Sequence, residues 1–410
     1  MTAPFLRLTR EFVFLTLIIF TFGGEAEGRL WTDRKGYAEE ADLVKFDGKN
    51  ATVRLKDGTE VTFGIDQLSD ADQKFLLKSY VPEKPKPAPE EEGGYFNWDD
   101  PWPRTAEVKD VEITVEKEDV ETKKFIYTSN HFRFICDVRL TGSVVSTFAK
   151  MFEASHEFCR VIPLTFRREV ISDEKFDVRL FETKAGYVKA GGPPASAGVF
   201  ISGRGKNYVM VPLVSLGVQK FGSGYRRDRE KDDSTLVHEI VHQLSPACYF
   251  QPGARGWFSE GIAEYISNTP YRSGRFRIAN NFDEVTDYFS AFGKDGRGGR
   301  NLGEEFTAPA LKNFMTMPYG EFVANANFNY GLGLALVTYF IHLEGEGDAA
   351  LLKKFLAKLH EKKRIRSPQD QKEVLDILLN GRTWEELQDD ISKGWRRKGI
   401  KISFRESRTQ

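Results

Sequence analysis

Between residues 81 and 104 the chain reads VPEKPKPAPEEEGGYFNWDDPWPR and holds six of its 17 prolines. Each proline fixes φ and removes a backbone donor, so the stretch favours extended conformation and buries too little apolar surface to fold alone. A linker over 81–105 is predicted, splitting the 410 residues into a small amino-terminal unit and a large carboxy-terminal one. That division suits the two to three compact units such a length allows. The linker therefore rules out one continuous core.

Composition bears on partners. The 59 Lys and Arg nearly cancel the 60 Asp and Glu, and a net charge of −1 provides no global field for nucleic acid or an anionic membrane. Residues 1–27 carry Arg7 and Arg10, the uncharged run Phe12 to Phe22, and then Gly23, Gly24, Glu25 and Ala26. A basic start, a short apolar run and small residues make the pattern of a signal peptide. Its run falls short of the roughly 20 apolar residues of a spanning helix. The expectation is cleavage near Ala26 and a secreted, periplasmic or extracellular protein without a stable membrane span; an amino-terminal membrane anchor is the alternative. Cys136, Cys159 and Cys248 allow at most one disulfide, with Cys136 and Cys159 the first pair to test and three buried free thiols the other reading.

In residues 28–80, the strand-like runs Ala41 to Phe46, Ala51 to Leu55 and Glu60 to Ile65 are punctuated by Asp47-Gly48-Lys49-Asn50 and Lys56-Asp57-Gly58. Such turn signals predict hairpins, here closing a small all-β barrel. Through Arg29-x-Trp31-Thr32, Val53-x-Leu55-x-x-x-Gly58 and Leu68-Ser69-x-Ala71-Asp72, the segment resembles the SLA-type homology domain of endocytic adaptors. That resemblance implies a docking module for a protein or surface partner. A structural appendage is the plainer alternative.

Residues 106–400 are expected to form the large domain, with 401–410 as a tail. Strand patterns cover His131 to Val138, Phe176 to Glu182, Gly198 to Ser202 and Asn207 to Val214. Helical periodicity covers Val144 to Val161, Ser234 to Leu244, Ser259 to Asn268, Tyr330 to Leu343, Ala349 to Lys362, Gln369 to Leu379 and Thr383 to Trp395. Strands first and helices afterwards is the α+β arrangement.

Six histidines occur in the chain, and two of them form His238-Glu239-Ile240-Val241-His242 within a predicted helix. At i and i+4 both imidazoles leave one helix face and can share one Zn²⁺, with the adjacent Glu239 placed to take a proton from metal-bound water. Asp232, Asp233 and Ser234 supply acidic and capping residues at the helix start, and Leu236, Val237, Ile240 and Val241 give it a buried side.

A catalytic zinc needs a third protein ligand and an open fourth position. The metzincin pattern would place His at 248 and Gly at 245, but those residues are Cys248 and Ser245. Downstream, Pro246, Pro252, Gly253 and Gly256 break the chain, so that a second helix, Trp257-Phe258-Ser259-Glu260-Gly261-Ile262-Ala263-Glu264-Tyr265, can pass back beside the first. Glu260 then becomes the third ligand. Gly261 permits close approach of the two helices, and Glu264 is placed to orient a liganding imidazole through its far nitrogen.

HExxH with Trp-x-x-Glu-Gly-x-Ala-Glu-Tyr downstream resembles the gluzincin clan of zinc metallopeptidases, in particular its secreted bacterial members. Ser259 stands where the aminopeptidase branch has Asn. The resemblance implies a thermolysin-like zincin domain: a mixed sheet packed on the HExxH helix and followed by a helical part. It also implies His238, His242 and Glu260 as ligands of one zinc ion, Glu239 as general base, and Tyr330 as a donor to the developing oxyanion.

A peptide or protein substrate would add as a strand beside the HExxH helix, with Asn207 to Val214 the candidate edge and Lys184 to Gly198 a bordering loop. The function this predicts is an exported zinc metallopeptidase. Its rivals are a catalytically silent peptide-binding protein on the same scaffold and a zinc hydrolase acting on a non-peptide amide.

Overall fold

A computed structural model describes residues 29–46, 49–79, 96–166, 174–203, 206–228, 234–291 and 299–406. The segment 1–27 expected to be a signal peptide, the turn residues Asp47 and Gly48, most of the proline-rich stretch, and Asp232 and Asp233 lie outside them. The described residues divide into two compact units, one ending at residue 79 and the other beginning at 96.

In the first unit, β1 (Arg29–Thr32), β2 (Ala38–Phe46), β3 (Asn50–Leu55) and β4 (Glu60–Gly64) form an antiparallel sheet in that order, followed by helix α1 (Asp70–Ser79). The helix corrects the all-β expectation, and among the described residues β4 does not pair back to β1 to close a barrel. Its signal lies in Leu68-Ser69-x-Ala71-Asp72. Ser69 Oγ accepts from the Asp72 amide at 3.3 Å, while the Asp72 carboxylate accepts from Ser69 Oγ at 2.9 Å, a cap that starts a helix. Asp72 also accepts from Arg29 at 2.8 Å and from the Thr32 amide at 2.9 Å, tying α1 to β1 over a core of Trp31, Ala51, Val53 and Leu76.

The second unit is α+β. After the short β5 (Thr105–Glu107), the main sheet is built from β6 (Thr114–Asp119), β7 (Lys124–Thr128), β8 (Phe132–Cys136), β9 (Phe176–Phe181), β10 (Val199–Gly203) and β11 (Lys206–Pro212). Its spatial order is β10-β11-β9-β8-β7-β6, with β8, β9 and β11 parallel and the remaining pairs antiparallel. Helix α2 (Gly142–Val161) connects β8 to β9. Its Phe148 and Phe152 rings meet Phe134 edge-on at 5.3 and 5.2 Å, the arrangement that aromatic quadrupoles favour.

Three expectations are corrected here. The sheet edge at the cleft is β10, since β11 is paired on both sides; alternation along a strand reports its faces but not its neighbours. Lys184 to Gly198 is not all loop: α3 (Lys184–Lys189) opens it, capped by the Thr183 hydroxyl accepting from the Gly186 amide at 3.0 Å. Residues 96–105 belong to the second unit. The buried Asn97 donates to the Ile162 carbonyl at 2.7 Å and accepts from the Thr165 amide at 3.1 Å, so prolines nearby do not keep this segment apart.

A hairpin of β12 (Val218–Phe221) and β13 (Gly224–Arg227) precedes α4 (Ser234–Leu244) and α5 (Trp257–Ser267). Strands β14 (Tyr271–Arg272) and β15 (Arg275–Arg277) add to β5, and α6 (Phe282–Ser290) follows. The remainder comprises β16 (Glu305–Ala308), α7 (Leu311–Met315), α8 (Tyr319–Ala324), α9 (Ala326–His342), α10 (Ala350–Lys362), α11 (Pro368–Leu379), α12 (Trp384–Arg396) and β17 (Lys401–Phe404). Part of the expected tail is therefore structured: β17 lies parallel to β16 and buries Ile402. Among the described residues no helix is long and apolar enough to cross a membrane.

Helix α9 is apolar nearly all round and correspondingly buried. It is also the close partner of Gly261. A Cβ on Gly261 would lie 2.5 Å from the Gly333 carbonyl oxygen and 2.8 Å from Val337 Cγ2, so the glycine admits α9 rather than the HExxH helix as expected. Because the obstructing atom is backbone, Gly261→Ala is expected to cost about 1–3 kcal/mol of stability. The check is a lowered urea midpoint at unchanged slope; an unchanged midpoint would contradict the packing.

Candidate metal centre

Helix α4 carries His238 and His242 one turn apart, and its apolar residues Leu236, Val237, Ile240, Val241 and Leu244 are buried. After α4 the chain makes a 3₁₀ turn at Ala247–Phe250, and Gly253 and Gly256 take φ of 92° and 90°, values open to glycine. Gly256 caps α5 with its amide donating to Ser259 Oγ at 3.0 Å, which gives the departure at position 259 a structural use. Glu260, in the first turn of α5, then faces α4.

The three side chains converge. His238 Nε2 and His242 Nε2 are 3.0 Å apart, and each lies 3.2 Å from Glu260 Oε2. All three residues are buried, and together they form the group of His, Cys, Asp and Glu among the described residues that can hold a metal ion. A tetrahedral ion with ligands at about 2.0–2.1 Å spaces them by roughly 3.3 Å, close to the separations found. Two imidazoles and one carboxylate suit a divalent transition metal. The donor set fits, and its fourth side opens on a cavity of about 440 Å³.

Outer contacts fix the ligands. His238 Nδ1 lies 3.0 Å from Glu264 Oε1, whose carboxylate is gripped by Arg300 through Nη2 at 2.6 Å and Nε at 3.1 Å. Tyr319 donates to Glu260 Oε1 at 3.1 Å. Tyr330 lines the cavity with its ring stacked on His238, centroids 5.9 Å apart and planes at 5°. Among the described residues the buried Nδ1 of His242 has no hydrogen-bond partner. Glu239 also lines the cavity, and its Oε2 accepts from the Phe200 amide of edge strand β10 at 2.8 Å.

Electrostatics follow from this enclosure. Burial opposes charge on His238, but hydrogen bonds to Glu260 and Glu264 outweigh it and raise the ring's pKa to about 10. Burial likewise opposes ionisation of Glu260, yet the two imidazoles hold it well below the usual carboxylate range. Burial, followed by the Glu260 charge, pushes the Tyr319 and Tyr330 phenols up from a value already well above neutral pH.

A metal ion must displace the proton on His238. In the metal-free chain, the raised pKa contributes stability that is complete below 6.5 and lost as pH rises through about 10. Affinity for a divalent metal ion therefore climbs with pH over that window, and binding releases protons. Calorimetry in buffers of different ionisation enthalpy checks this; affinity that stays constant from pH 6 to pH 8 would contradict it.

Tyr319, Arg300 and Phe200 join the residues expected from the sequence. Tyr319 and Arg300 are 59 and 36 positions from their partners, in segments without periodic or motif signals. Phe200 acts through its backbone, so its identity could not have flagged it. The other four histidines are elsewhere: His131 pairs with Glu153 at 2.6 Å and stacks on His156 at 3.7 Å, His342 bonds Tyr265 at 2.9 Å, and His360 sits against Tyr249. Cys136, Cys159 and Cys248 are buried free thiols. No protein-family model matches the chain, and neither the curated proteins nor the solved structures provide a significant match to it.

Proposed function

We propose that the chain is an exported zinc-dependent metallopeptidase with a gluzincin-type centre, holding one Zn²⁺ on His238, His242 and Glu260. The observation that carries this reading is the placement of Glu239, which faces the same cavity as the three converging donors without being one of them. Zinc in that position supplies a Lewis acid that polarises a carbonyl and lowers the pKa of water.

The chain's own groups account for the rest. Glu239, oriented by the Phe200 amide, takes a proton from the attacking water and returns it to the leaving amine. Tyr330, which lines the cavity with its ring against His238, is the donor to a developing oxyanion, while the Tyr319 hydroxyl serves Glu260. Edge strand β10 offers backbone groups to an extended substrate. A mixed sheet against α4, followed by helices, is consistent with a thermolysin-like domain. The basic start and short apolar run of residues 1–27 support export, and the motifs of the amino-terminal module support docking of a partner.

Digestion of a mixed peptide library by the zinc-loaded chain, with products identified by mass, tests the proposal. New termini that do not form in the Glu239→Gln variant are expected. An untouched library would refute the peptidase reading in favour of a binding protein or a hydrolase of other amides.

A further inference from the structure

Charges lining the cavity do not balance once a divalent ion is counted. Arg300 is committed to Glu264 through two charge-assisted hydrogen bonds. Glu239 and Glu260 together offset the two positive charges of the ion. Arg255 is left over: it is exposed, lines the cavity and forms no ion pair among the described residues.

Its position is nevertheless fixed. The Arg255 amide donates to the Gln251 carbonyl at 2.9 Å, and the next residue, Gly256, is seated so tightly that a Cβ would lie 2.9 Å from the Phe322 ring. The guanidinium carbon lies 4.3 Å from the Tyr319 ring centroid, and the Tyr319 hydroxyl bonds Glu260. One phenol thus separates a planar, permanently charged fork from a ligand of the metal centre. Extended peptide advances roughly 3.3 Å per residue, so one or two residues span that gap. A guanidinium matches a carboxylate bidentately and is attracted to aromatic faces.

We infer that Arg255 forms an anion subsite selecting substrates that carry a carboxylate one or two residues from the scissile bond. The carboxylate belongs to an Asp or Glu side chain or to the substrate's own carboxy terminus. This inference rests on the peptidase reading and names the substrate class for it.

The test uses the zinc-loaded Glu239→Gln chain, which holds peptide without turnover. Fluorescein-labelled alanine hexapeptides carry Glu or Gln at successive positions, each with a free or an amidated terminus, and binding is read by anisotropy. A carboxylate at one position, or at the free terminus, is expected to tighten binding about 10- to 100-fold, the range of a hydrogen bond to a charged group. Which of the two it is identifies the source. Adding Arg255→Gln should erase the difference with zinc content unchanged, and Arg255→Lys should restore part of it. Equal binding of acidic and neutral peptides, no binding of any peptide, or unaltered discrimination in Arg255→Gln would overturn the subsite. Carboxylate-dependent binding with no hydrolysis by the native chain would uphold the subsite and refute the peptidase reading.

Discussion

Glu239→Gln is expected to retain zinc at the native level while losing peptide hydrolysis by about 10²- to 10⁴-fold, the usual contribution of a general acid–base group. The substitution preserves size and keeps a carbonyl oxygen to accept from the Phe200 amide, which Glu239 Oε2 now does at 2.8 Å. It removes the capacity to take a proton together with one negative charge. The three converging donors do not include Glu239, so the metal should be unaffected. Paired determinations of bound zinc and turnover check this outcome. Zinc lost together with activity would make Glu239 part of the metal's support, and activity retained would remove it from the chemistry.

Glu260→Ala should have the opposite signature. Removing this carboxylate leaves His242 without its anionic partner, His238 with Glu264 alone, and the Tyr319 hydroxyl without its acceptor. Loss of an outer hydrogen-bond partner to a metal ligand typically costs 10- to 100-fold in affinity, and loss of a ligand should exceed that. Zinc is therefore expected to wash out of this variant under conditions in which the native chain retains it. Both zinc and hydrolysis disappear, whereas Glu239→Gln loses hydrolysis alone. Full occupancy in Glu260→Ala would exclude Glu260 as a ligand.

Much of this site is legible in the sequence because its parts lie on two short helices close in the chain. The HExxH spacing places two imidazoles on one face, and the scarcity of histidine directs the search for a third ligand to a carboxylate. Breaks at Pro246, Gly253 and Gly256 allow the second helix to return, and the structure brings Glu260 to within 3.2 Å of both imidazoles.

What eludes sequence reading depends on long-range placement. Arg300 and Tyr319 reach the centre from segments whose local patterns do not specify where they fold. Gly261 is recognisable as a point of close approach, but its partner is α9, far along the chain. Strand periodicity identifies four of the six strands of the main sheet, missing β6 and β7, and does not give their order, hence the assignment of the edge to β11 instead of β10. In the first unit, turn signals dominate the reading and conceal the Ser69–Asp72 cap that starts α1.

The most direct test of a zinc-dependent peptidase is a stoichiometric titration: zinc added stepwise to the chelator-stripped chain while hydrolysis of a cleaved peptide is followed. Activity is predicted to rise from zero and level off at one zinc per chain, with no rise in Glu260→Ala over the same range. Hydrolysis by the stripped chain that is indifferent to added zinc, or no hydrolysis at full occupancy, would contradict the account.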